Sequence, residues 1–137
     1  MNNYKTIHQE LSTSEAVKFG VGWFVERLLP FVYGGMTDDK RSKFERSLLH
    51  FLAMQLVGIG NVTGTQISFT NDQTVQLSFR GGPCAVTSSA ACYERIKFTD
   101  ESEDLLLVVD MKPHVVQANH NRVKGQIWPV EETAPSL

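Results

Sequence analysis

After the second of two helical segments, the apolar residues of this chain change their repeat from the helical spacing of three and four to strict alternation. That switch confines the fold to helices set apart from strands. Over residues 12 to 29, Val17, Val21, Phe24 and Leu28 fall on one helical stripe, which Phe19 and Trp23 widen. Ser12-Thr13-Ser14-Glu15 opens this segment as a hydroxyl cap with a glutamate three residues on, and Pro30 stops it. Gly34-Gly35 predicts a turn. Thr37 then reads as a cap, with Asp38 and Asp39 at the positive end of a second helix dipole. This helix is expected to run to about Val57, burying Phe44, Leu48, Phe51, Leu52 and Leu56, and to be stopped by the glycine-rich stretch from Gly58 to Gly64.

After that stretch the repeat becomes two. Gln66 to Thr70 and Thr74 to Arg80 alternate apolar with polar residues and predict a hairpin that turns at Asn71-Asp72-Gln73. Gly81-Gly82-Pro83 leads into a short helix over about Cys84 to Ile96. The continuous run Leu105-Leu106-Leu107-Val108-Val109 reads as a central strand buried on both faces. His114 to Ala118 and Arg122 to Val130 give two further strands around Asn119-His120-Asn121. The predicted fold is α+β: an N-terminal antiparallel helical hairpin and a third short helix, packed on a mostly antiparallel sheet of four or five strands. The 137 residues fit one domain, with residues 1–11 and 132–137 expected as loose ends.

Charge and composition narrow the function. A net charge of −2 supplies no broad positive field for a phosphate backbone, so direct nucleic-acid binding is not expected. Lys40, Arg41, Lys43 and Arg46 cluster, but Asp38, Asp39 and Glu45 sit among them, and the group reads as a solvated helix face. No apolar run is long enough to span a bilayer, and Met1 to Glu10 lacks the apolar core of an export signal. With only Cys84 and Cys92 as thiols, the expectation is an intracellular protein, cytoplasmic or nuclear, without a disulfide framework. No phosphate-cradling or other cofactor motif occurs, so no cofactor is expected.

Three constellations could carry chemistry. Cys84 follows Gly81-Gly82-Pro83 at a predicted helix N-terminus, where the dipole favours a thiolate; with His114 or His120 as base and Asp110 as orienting carboxylate it would form a thiol hydrolase. The competing reading makes Cys84 a small buried hydrophobe. Asp110, His114 and His120 could also converge on a metal, yet their spacing matches no ligand signature, and no metal site is assigned. Trp128, near the end of the last strand, fits either an interface anchor or the core.

The opening helices, through Phe19-Gly20-Val21-Gly22-Trp23-Phe24, Leu28-Leu29, Gly34-Gly35, Thr37, Phe44 and Leu48, resemble those of the antiproliferative BTG/Tob family. Ser102 to Asp110, followed by Val115 and Val116, is similar to that family's second signature box. In the family this box ends in tryptophan-valine-aspartate-proline; here Val108 stands at the tryptophan, Asp110 at the aspartate and Met111 at the proline. The first box has no counterpart between Val57 and Thr70. The resemblance implies a noncatalytic adaptor that binds a deadenylase subunit, linked to mRNA deadenylation or the regulation of proliferation, with Val108, Asp110 and Met111 among the contacts and Trp128 added as an anchor. A small interaction or immunity-type protein acting as a homodimer is the other noncatalytic expectation.

Overall fold

The computed structural model describes residues 4–63, 74–99, 104–111, 115–121 and 123–129. Among these, helices α1 (Tyr4–Thr13), α2 (Glu15–Leu28) and α3 (Asp38–Thr63) come first. Strand β1 (Thr74–Phe79) and helix α4 (Ala85–Tyr93) follow, and then strands β2 (Leu105–Asp110), β3 (Val115–His120) and β4 (Val123–Trp128). The α+β class expected from the change of repeat is the observed one.

The first helix differs from expectation. Residues expected as a loose end form α1, whose Ile7 and Leu11 are 2% and 0% exposed. The cap that opens α2 is Ser14, two residues later than the capping pattern places it, and its hydroxyl accepts from the amide of Val17. Ser12 belongs to α1, where its hydroxyl donates to the carbonyl of His8. Two helices therefore stand where one was predicted, because a hydroxyl residue serves as readily inside a helix, bonded back one turn, as at its start.

Helix α2 buries Val17, Val21, Phe24 and Leu28 as its spacing dictates, whereas Phe19 lies exposed. Pro30 diverts the chain into one 3-10 turn over Leu29–Phe31, and this corner is tied down when the amides of Tyr33 and Thr99 donate to the carbonyls of Lys97 and Phe31. Gly34 and Gly35 both sit at positive φ, 76° and 72°, a conformation that a residue with a Cβ adopts at a cost. Thr37 caps α3 as its position suggests, its hydroxyl accepting from the amide of Lys40. Gly58 does not stop α3, which continues to Thr63.

The strands form one antiparallel meander in the order β1-β2-β3-β4. Thr74 pairs with Asp110 and Phe79 with Leu105; Leu105 in turn pairs with His120 and Asp110 with Val115. Val75, Leu77 and Phe79, then Leu105, Leu107 and Val109, then Val116 and Ala118 are buried, and by this register they share one face. Helix α2 crosses that face closely at Gly20, where an added Cβ would lie 3.1 Å from Val109 Cγ2 and 3.2 Å from Leu107 Cδ2. The strand expected to be buried on both faces is buried on one: Leu106, Val108 and Asp110 are only partly covered, because the helices pack on the other side. The strand expected over Gln66 to Thr70 lies outside the described residues, as does the tail from residue 130.

Candidate functional site

Cys84 is held by a turn that brings it back to the strand it leaves. Gly81 and Gly82 take φ values of 69° and 148°, and the amide of Cys84 donates to the carbonyl of Ser78 at 3.0 Å. The side chain is enclosed by donors: the Ser78 amide lies 3.5 Å and the Thr87 hydroxyl 3.1 Å from Sγ. Thr87 is fully buried. Cys84 is the N-cap residue of α4, and Cys84 and Cys92 are both free thiols. Burial pushes the Cys84 thiol up, but the hydrogen bonds from the Ser78 amide and from the Thr87 hydroxyl and amide outweigh it and hold the thiol below the ordinary value.

Asp110 and His120 do not assemble around it. Asp110 ends β2 opposite Thr74, whereas Ser78, the strand residue nearest Cys84, pairs with Leu106 four residues away. At strand rise this separates them by roughly 13 Å. His120 pairs with Leu105 at the near end of the sheet, but on β3, two strand spacings or roughly 10 Å from β1. Its ring stands edge-on to Trp23, 6.4 Å between centroids. Asp110 and His120 occupy opposite ends of the β2–β3 pair, so the metal convergence does not form either. Among the described residues, no group of three or more His, Cys, Asp or Glu could hold a metal ion. His114 lies outside them.

These hydrogen bonds predict a Cys84 thiol that ionises more readily than a free one. In the Cys92→Ser variant, the rate of Cys84 alkylation by iodoacetamide should rise with pH around a midpoint below that of a free thiol. Thr87→Val should move the midpoint upward by removing a donor to the charged form. A midpoint at or above the free-thiol value would contradict the donor arrangement.

The expected partner contacts divide. Val108 and Asp110 sit two apart on β2 with Leu106, on the face away from the helices, where Leu106, Val108, Gln117, Asn119 and Lys124 outline a depression of about 240 Å³. Met111 is 4% exposed and packs in the core, so it cannot serve as a contact. Trp128 pairs with Val116 and packs against the core on the helix-bearing face. The basic run on α3 behaves as a solvated face: Lys43 pairs with Asp39 at 3.2 Å, and Arg41 with Glu45 at 3.5 Å.

A groove that the sequence did not flag runs under β4. It encloses about 430 Å³ between α2 and the strand, and its lining includes Trp23, Arg27, His120, Lys124, Gly125 and Ile127. The Arg27 guanidinium stacks over the Trp23 ring at 5.2 Å. Lys124 borders both this groove and the depression on the outer face. The available signal was the broken alternation of Val-Lys-Gly-Gln-Ile-Trp over residues 123 to 128. A second cavity of about 430 Å³ lies between α3 and α4, where the Ser47 hydroxyl donates to Glu94 at 2.6 Å and the Tyr4 hydroxyl hydrogen-bonds His50 Nδ1. Among the described residues, no helix is long and apolar enough to cross a membrane. Comparison with known proteins finds no matching family model, no matching curated protein and no matching solved structure.

Proposed function

We propose that the chain is a noncatalytic protein-binding domain that offers the helix-free face of its sheet to a partner, and that the partner is the deadenylase subunit implied by the BTG/Tob resemblance. One observation carries the reading. The apolar run of β2 is composed like a strand covered on both sides, yet only Leu105, Leu107 and Val109 are buried while Leu106 and Val108 remain partly exposed. Fully burying a valine or leucine contributes about 1.5–3 kcal/mol, so these two side chains keep part of that gain in reserve for a docked surface. Asp110, next in the same row, adds a carboxylate at the margin, where a charge sets partner choice more than affinity. The scatter of Cys84, Asp110 and His120 favours binding over hydrolysis.

Immobilised protein should retain a purified deadenylase catalytic subunit, and Val108→Glu should reduce retention at least about tenfold, since it places a charge in the middle of the contact. The urea midpoint of the variant, compared with that of the parent, separates lost contact from lost fold. No retention by the parent protein, or equal retention by a folded Val108→Glu variant, would discard the assignment.

A further inference from the structure

We infer that the β4 edge is a strand-addition site for an extended, acidic segment of a partner protein, which would join the sheet as a fifth strand. The inference rests on the reading of the chain as a binding domain but uses a different surface, and three observations lead to it. Strand β4 ends the meander, so the backbone groups on its outer side carry no ladder partner among the described residues, and such an edge is a ready template for another strand. Beneath it the groove provides a slot for side chains. Gly125 has open space where a Cβ would project, with nothing within 4 Å, while Val123 is 76% exposed and Trp23 forms a wall. The side chain of an added strand that points toward the helices would enter this slot beside Trp23 and Ile127, and its neighbours would point outward along the margin.

Charge selects the occupant. Among the described residues, Arg27 and Lys124 line the groove and no carboxylate does; exposed Glu26 lies 4.0 Å from Arg27. Self-pairing of β4 across a two-fold axis would turn two such cationic margins toward each other, which disfavours a second copy of this chain. The register shift between Val116 and Gln117, with Lys124 on the edge, is a device that discourages indiscriminate pairing. Alternating acidic and apolar side chains satisfy both margin and slot.

The test uses a fluorescein-labelled hexapeptide alternating glutamate with valine, followed by anisotropy and by amide chemical shifts in the full chain. Saturable binding is expected, with the largest shifts over Val123–Trp128. A lysine-valine peptide should bind at least about fivefold more weakly, as should the glutamate peptide to Lys124→Glu. Gly125→Leu, whose Cβ would enter open space and whose branch would occupy the slot, should weaken binding about tenfold. N-methylation of alternate peptide amides should abolish it, because a fifth strand needs those donors. If Gly125→Leu fails to fold, the charge reversal and the N-methylated peptide still decide. Absent saturation, equal binding of the lysine peptide, or equal binding after N-methylation would overturn strand addition. Retention of the deadenylase subunit that depends on Val108 would survive any of these results, so the two failures are distinguishable. Sedimentation at high concentration that shows a dimer broken by Lys124→Pro would also overturn it, by assigning the edge to a second copy.

Discussion

Phe24→Ala is expected to lower the free energy of unfolding by about 3–5 kcal/mol, the range for emptying a fully buried aromatic site. Phe24 has no exposed surface and lies on the stripe of α2 that faces the hydrophobic cluster, with Val21 and Leu28 on the same side. Substitution removes the transfer free energy of the ring and leaves a cavity that the flanking helix and strands can fill only in part. For a domain stable by about 5–15 kcal/mol, this is a large fraction of the whole. At a urea slope of about 1–3 kcal/mol/M the midpoint should fall by more than about 1 M with the slope unchanged. Phe19→Ala on the same helix is the internal comparison. Phe19 is 38% exposed, so its loss should cost clearly less. Equal effects at the two positions would mean that α2 does not present the face assigned to it.

These two phenylalanines also mark where sequence reasoning succeeds and where it stops. Helical spacing identified Val17, Val21, Phe24 and Leu28 as buried, because a stripe on a cylinder follows from the repeat alone. It assigned Phe19 to the same face because hydrophobicity says that a side chain can be buried, not that a neighbour exists to cover it. The glycines after Val57 were expected to break α3, yet the helix runs through Gly58 to Thr63, a propensity cost of about 1 kcal/mol for each glycine that the long helix absorbs. The apolar run of β2 encoded burial on two faces, and the described fold supplies a cover for one.

The site was less legible than the fold for a different reason. Cys84, Asp110 and His120 were grouped by residue type and order in the chain, whereas their separation depends on strand register, which no local motif specifies. Val108 and Asp110 came out on one surface because they are two residues apart on a strand, a relation that alternation alone fixes. Met111 parts from them because it is one residue beyond Asp110 and continues the buried row of Leu105, Leu107 and Val109, so the same alternation sends it into the core. The β4 groove had no such handle. Trp23 and Gly125 lie on different elements and meet only after the meander sets β4 beside α2.

Leu11→Ala should cost about 2–5 kcal/mol, although its segment read as a polar end with no place in the fold. The side chain has no exposed surface, and α1 lies along α3, with the Tyr4 ring edge-on to that of His50 and the two joined by a hydrogen bond. A ten-residue helix is too short to persist alone in water, so α1 exists only because Ile7 and Leu11 enter the common core. Removing three methyl or methylene groups from the more buried of the two therefore withdraws both burial and the reason for the helix. Two outcomes separate a docked α1 from a frayed terminus. If it is docked, chemical denaturation of Leu11→Ala shows the full loss in a single transition, and the amides of α1 lose exchange protection together with those of α3. If it is frayed, the variant differs from the parent by less than about 0.5 kcal/mol, and the packing of α1 on α3 is wrong.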